Sequence, residues 1–245
     1  SRSQNRKGLL MWMSHSCWPS MVWQTYDYYF EPTAAYFAIK KASEPLHIQW
    51  NPATDEVEVV NYSAGTHSHL TARVQILNMD ASVAWEKETT VDSREDTTEK
   101  CIKLEFPETL SEVYFIKLWL LEDGKILSDN FYHASRKGIN YQALKQLPEV
   151  TLDCQAKMAQ DKEGNWTATV TLTNPTSTPA LMTRINVVGD KDGDQFLPIL
   201  YEDNYFALLP GEQKEVSVRW KDVDTRGNSP VIRITGYNVK ELSRQ

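Results

Sequence analysis

Hydrolytic chemistry by paired carboxylates needs two acids brought to one place, and residues 8–30 offer a single one, Asp27. What the stretch offers instead is aromatic surface. Residues 8–50, GLLMWMSHSCWPSMVWQTYDYYFEPTAAYFAIKKASEPLHIQW, hold four of the eight tryptophans: Trp12, Trp18, Trp23 and Trp50. Ser14-His15-Ser16 reads as a polar turn among them. A second mixed cluster is Tyr201-Glu202-Asp203-Asn204-Tyr205-Phe206. There Asp203 and Asn204 suit an Asx-type turn, and Tyr205 and Phe206 suit the start of a strand.

Metal and thiol chemistry find weaker footing. Asp190-Lys191-Asp192-Gly193-Asp194 has the acids of a calcium loop, but position six is Gln195 and position twelve Tyr201, where a helix-flanked loop needs glycine and a bidentate acid. A hairpin turn is expected. Cys17, Cys101 and Cys154 form no C-x-x-C pair or Cys/His cluster, and an odd count supports at most one bridge. Three buried free thiols are expected, with no metal and no cofactor. Asn165-Trp166-Thr167 and Asn61-Tyr62-Ser63 fit the N-glycosylation pattern, although Asn61 stands where a strand ends and already suits a turn.

The 245 residues favour about two domains, and 41 % hydrophobic with 24 % charged residues is ordinary for globular protein. A net charge of -7 argues against a nucleic-acid surface. The one basic cluster, Arg2-Arg6-Lys7, is short. No apolar run approaches the roughly 20 residues that span a bilayer. No signal peptide is visible between Ser1 and Lys7.

These side chains must be carried by elements. Leu9 to Met13 reads as an apolar strand that would want neighbours on both faces, and a helix is expected at about Pro32 to Ala42. The strand has nothing before it to pack on, so the chain reads as a piece cut from a larger protein. After Pro45 the pattern turns to β. Strands are expected at Leu46–Trp50, Val57–Asn61, Leu70–Leu77, Lys100–Phe106 and Val113–Leu121, with a hairpin at Asp123-Gly124. Lys145–Glu149 reads as a linker. The scheme then restarts: Val150–Leu152, Trp166–Thr173, Leu181–Val188, Tyr205–Leu209, Glu215–Trp220 and Val231–Tyr237, with Leu209-Pro210-Gly211-Glu212 a plain turn.

The halves share a rhythm. Val60-Asn61, a short turn and Leu70-Thr71-Ala72-Arg73-Val74 answer to Thr173-Asn174, a short turn and Leu181-Met182-Thr183-Arg184-Ile185. Two copies of one immunoglobulin-like sandwich follow. Alternate positions give the expected cores: Val57, Val59, Val74, Ile76, Phe115, Leu118 and Leu120, then Val170, Leu172, Ile185, Val187, Val216, Val218, Ile232 and Ile234. Phe115 and Leu118 are an odd step apart, which places one of them on the outer face.

The order G-x-x-x-W, S-C-W-P-S, D-Y-Y and A-A-Y-F-A-I-K-K-A-x-E-P-L-H-I-Q resembles the last β/α unit of the catalytic barrel in glycoside hydrolase family 2. The exo-β-glucosaminidase branch is nearest, the β-mannosidases next. P-I-L-Y-E-D-N-Y-F-A-L-L-P-G-E-Q-K-E-V-S-V, residues 198 to 218, is similar to the start of the last strand pair in the C-terminal module of the same enzymes. The fold so implied is mainly β: two tandem immunoglobulin-like β-sandwich domains preceded by a remnant of the last unit of a TIM barrel. The divisions are 1–43, 44–147 and 148–245.

The resemblance implies a retaining exo-glycosidase that removes terminal β-linked glucosamine or mannose. Its two carboxylates would lie on earlier barrel strands, upstream of Ser1, so this chain is expected to be catalytically silent. Trp12 matches the family's strand-end tryptophan, the floor of the sugar pocket, where a flat ring stacks on a sugar's C–H face. Trp18 and His15 lie on the same rim; His15 stands where relatives often carry Asn. Asp203 and Asn204 would close part of the pocket if their loop turned to the barrel. The implied partners are the parent's barrel in cis and, through it, a carbohydrate; the implied setting is periplasmic or secreted. One rival is a carbohydrate-binding module with an exposed row drawn from Trp85, Trp119, Trp166 and Trp220. Another is an adhesion-type tandem, which has no use for a barrel-like stub.

Overall fold

A computed structural model describes residues 10–20 and 24–244. The basic residues Arg2, Arg6 and Lys7, and Leu9 and Trp23, lie outside that range. The helix forms as α1, Ala34–Ala42, with Thr33 as its N-cap and Lys40 and Lys41 in its last turn, where cations suit the helix dipole. Phe37 is its buried residue.

Two sandwiches follow. The first uses β1 (Leu46–Asn51), β2 (Glu56–Asn61), β3 (His67–Asn78), β4 (Val83–Ser93), β5 (Thr97–Lys103), β6 (Val113–Glu122) and β7 (Lys125–Ser135). One sheet runs β1-β2-β5 and the other β4-β3-β6-β7, all antiparallel. A 3-10 turn at Gln142–Gln146 leads to the second, with β8 (Asp153–Gln160), β9 (Asn165–Thr173), β10 (Ala180–Gly189), β11 (Leu200–Tyr201), β12 (Phe206–Leu208), β13 (Gln213–Lys221), β14 (Pro230–Thr235) and β15 (Leu242–Arg244). Its sheets run β8-β9-β13-β11 and β12-β10-β14-β15. The order of strands repeats: β1, β2, β3, β5, β6 and β7 answer to β8, β9, β10, β13, β14 and β15.

Alternation builds each core. Leu70, Ala72, Val74 and Ile76 of β3 are buried on one face against Ile48, Val57 and Val59. Val170, Leu172, Ile185, Val187, Val216, Val218, Ile232 and Ile234 are fully buried in the second sandwich. The expected amide turns close both copies. Asn61 Nδ2 donates to the Gly65 carbonyl at 2.6 Å, and Asn174 Nδ2 to the Thr178 carbonyl at 2.8 Å, four residues on in each case. Asp123 and Gly124 take left-handed backbone at φ 49° and 78°, the combination a two-residue hairpin requires.

β6 is buried on both faces. Tyr114, Ile116, Leu118 and Leu120 face their own core. Phe115 points the other way and packs with Leu77, Leu181 and Leu209, so the odd step sets it against the neighbouring sandwich. Lys117 lies on the same face and pairs there with Glu212.

Four expectations are corrected. Residues 10–13 form no strand: Leu10 is 99 % and Trp12 78 % exposed, and Met13 takes left-handed backbone, φ 66°, which breaks an extended run. Among the described residues of that run no barrel strand is formed. His15 belongs not to a free turn but to a parallel bridge with Tyr26. Val150–Leu152 is no strand; Val150 makes one bridge, to Val239. Cys17 is exposed, while Cys101 is half-buried and Cys154 buried, and all three are free. No helix among the described residues is long and apolar enough to cross a membrane.

Candidate functional site

The aromatic segment is shaped by short hydrogen-bonded links. Tyr26 N donates to the Ser14 carbonyl at 2.9 Å, as does Thr25 Oγ1 at 3.1 Å. Asp27 then caps a tight turn: its Oδ1 accepts from Tyr29 N at 2.8 Å and Glu31 N at 2.9 Å. Phe30 at the turn has φ 67°. This lays the Phe30 ring on the His15 ring, centroids 4.1 Å apart and 12° from parallel. The His15 Nε2 sits 3.1 Å from the Tyr28 carbonyl. The sole acid of this stretch is thus a turn cap, and His15 is the middle of an aromatic stack. Trp18 is exposed, like Trp12 and Tyr29.

Glu31 turns inward from the same turn. Its Oε1 meets the Arg184 guanidinium and accepts from Asn186 Nδ2 at 3.0 Å. Arg184 and Asn186 are outward positions of β10, whose Ile185 and Val187 fill the core. Burial works against charge on Arg184, but the Glu31 carboxylate together with the Tyr205 and Tyr201 phenols outweighs it and raises the guanidinium's affinity for its proton. Asn186 Oδ1 and Arg184 Nε are buried with no protein partner.

The 201–206 loop lies along the same strand. Asn204 is buried and spends both ends of its amide on β10: Oδ1 accepts from Ile185 N at 2.7 Å and Nδ2 donates to the Ile185 carbonyl at 2.9 Å. Tyr201 OH accepts from Val187 N at 3.1 Å. Burial pushes the Tyr201 phenol well above its ordinary range, so it stays neutral. Two side chains therefore stand in for a neighbouring strand on the edge of β10. Asp203 pairs with Lys214 at 2.6 Å and lines a cleft of about 700 Å³ between α1, Asp129 and β13. α1 reaches this loop through Phe37, whose ring is 5.9 Å from Tyr205, and through Lys40, which donates to the Tyr201 carbonyl at 3.3 Å and to that of Glu202.

His15 is thus gathered with Tyr28 and Phe30, and Asp203 with Asn204 in another loop; Glu31 and α1 join the two sets. Sequence reasoning missed Glu31, Arg184 and Asn186. Arg184 had a signal, because it answers to Arg73 in the repeat. A lone glutamate before Pro32 had none. The four tryptophans of the binding-module rival do not share an open face. Trp220 is 4 % exposed in the core and stacks on Trp166 at 5.8 Å. Trp85 packs on the other core, and Trp119 is half-buried beside Lys117. Among the described residues no three His, Cys, Asp or Glu side chains are placed to hold a metal.

Comparison with known proteins agrees with this architecture. Residues 130–239 match the exo-β-D-glucosaminidase Ig-fold domain. The exo-β-D-glucosaminidase of Streptomyces avermitilis is 33 % identical over 98 % of this chain and 29 % of its own length. The mannosylglycoprotein endo-β-mannosidase of Lilium longiflorum is 23 % identical, over 96 % of this chain and 31 % of its length. The crystal structure of the Amycolatopsis orientalis exo-chitosanase superposes with a TM-score of 0.87 at 28 % identity, covering 95 % of this chain and 30 % of that one. The chain spans about a third or less of the relatives it matches.

Proposed function

We propose, for a chain that carries the exo-β-D-glucosaminidase Ig-fold domain and corresponds to a C-terminal region of family 2 glucosaminidases and mannosidases, a non-catalytic accessory role beside a catalytic barrel. The whole protein would remove terminal β-linked glucosamine, or mannose, from the non-reducing end of a glycan. The observation that carries this is the match of nearly the whole chain to exo-β-D-glucosaminidases. Residues 1–43 would belong with the barrel, 44–147 and 148–245 with the two sandwiches. Trp12, His15 and Trp18 would lie on the sugar's rim. Asp203 and Asn204 would support that rim by fixing the loop under α1. The buried state of Trp220 favours this over a free-standing sugar-binding module.

The test is hydrolysis of p-nitrophenyl β-glucosaminide and β-mannoside by this chain and by the full-length protein. A silent chain beside an active full-length protein supports the accessory role and names the sugar. Turnover by the chain alone would place an acid pair within these residues and overturn it.

A further inference from the structure

The two sandwiches repeat one topology, yet the matched arginines end differently. Arg73 on β3 meets Glu88 of the adjacent strand β4 at 2.6 Å, with half of each side chain exposed. β10 has no long neighbour at the answering place: β12 pairs with it at Ala180 and Thr183, and beyond that Asn204 and Tyr201 occupy its edge. Arg184 finds its carboxylate 153 residues away, in Glu31, and there the pair is shielded, 26 % and 11 % exposed. Asn186, two positions on, adds a second donor to the same oxygen. Arg184 also lies over the Tyr205 ring, 5.9 Å from its centroid. A carboxylate clasped by a guanidinium and an amide is held in direction as well as distance.

The backbone of that carboxylate belongs to the turn that shapes the aromatic rim. Glu31 N bonds Asp27, Asp27 N bonds the Glu31 carbonyl at 3.0 Å, and Phe30 between them carries the stack on His15. Neither end of this path is touched by the core of the first sandwich.

We propose that Glu31, Arg184 and Asn186 form a latch by which the C-terminal sandwich positions the His15–Phe30 rim. These are positioning residues; they would act on a sugar through His15 and its neighbours, and this part rests on the function proposed above. A latch explains why a strand of the far sandwich keeps two polar side chains pointed at a loop of another part of the chain.

The test uses E31Q, R184M and R184K in the whole chain. Amide exchange over residues 24–33 is followed beside that of β9, β10 and β13. E31Q and R184M should speed exchange in 24–33 about tenfold or more while the strands keep their protection. R184K keeps the charge without the planar fork and should fall between. Unchanged exchange in 24–33 overturns the latch. Equal loosening of the strands overturns it too, because the pair would then belong to the sandwich core. In the full-length protein the same variants should raise KM for the cleaved glycoside several-fold with kcat within about twofold. A loosened turn with unchanged KM overturns the positioning role. If the wild-type full-length protein cleaves neither glycoside, the proposed function fails, and exchange alone then decides the latch.

Discussion

Asn174 shows what a single side chain does here. Its Nδ2 donates to Thr178 and Leu208 carbonyls at 2.8 and 2.9 Å, and its Oδ1 accepts from Thr176 N and Oγ1 at 3.1 and 2.7 Å. Removing it strands buried backbone groups, each costing about 1–3 kcal/mol. Asn174→Ala should therefore lose about 3 kcal/mol or more, read from the urea midpoint at unchanged slope. Asn61→Ala, which gives up two such bonds, should lose less. Equal and small losses would show that solvent takes over these groups. Both asparagines were legible from sequence, because an amide at a strand end serves the turn through its immediate neighbours. Glu31 was not, because nothing local to it names a partner on β10. Trp12, His15 and Trp18 could be singled out only through resemblance; their types alone do not distinguish a sugar rim from a barrel wall.

At the scale of elements, α1 is docked by few contacts that can be titrated. Lys41 bridges Glu44 at 3.1 Å and Asp129 at 2.5 Å, and Ser128 Oγ donates to Glu44 at 2.6 Å. Burial alone would raise the Asp129 carboxyl, but Lys41, with Lys214 and Lys117, outweighs it and holds the group below its ordinary range. Burial likewise opposes the lowering of Glu44, where hydrogen bonds from His47 and Ser128 and the charge of Lys41 together win. A carboxylate with a depressed folded value stabilises fully above its unfolded value and loses that contribution as pH falls through the folded one. Amides of α1 should thus exchange faster on acidification below about pH 4, and Asp129→Asn should show the loosened state at neutral pH already. Deleting residues 1–43 should leave both sandwiches with their β circular dichroism and cooperative melting, since both cores draw their residues from Leu46 onward. Collapse of either sandwich would move the boundary we propose. The strands that sequence disclosed were those with at least one dry face. β4, VAWEKETTVDS, and β8, DCQAKMAQ, bury little, so no alternation announces them. Leu10–Met13 misled for the converse reason: an apolar run is a strand only where another strand pairs with it.

For the whole molecule the question is whether the two sandwiches behave as one body. Leu77, Phe115, Leu181 and Leu209 make a small shared core, flanked by Phe131, Leu144 and Leu147. Lys117 crosses the same seam to Glu212, whose other oxygen accepts from Leu209 N at 2.8 Å. Phe115→Ala should cost about 3–5 kcal/mol and split one calorimetric transition into two, because the side chain belongs to the seam and not to either core. A titratable group also lies at the seam. His133 lies edge-on to Phe115 and Phe131, with centroids 5.6 and 5.4 Å away, and burial holds its imidazole below the ordinary value. For a base held low, the unfolded or opened state binds the proton more tightly. Its contribution is complete above about pH 6.5 and is lost as pH falls from there toward the folded value. Scanning calorimetry at pH 7.5 should give one transition, and at pH 5.5 a broadened or divided one. His133→Phe keeps the ring and removes the proton site, so it should stay single at both. A wild-type trace as sharp at pH 5.5 as at 7.5 would mean that protonating His133 does not open the seam, and that the sandwiches are coupled through Lys117 and the linker instead.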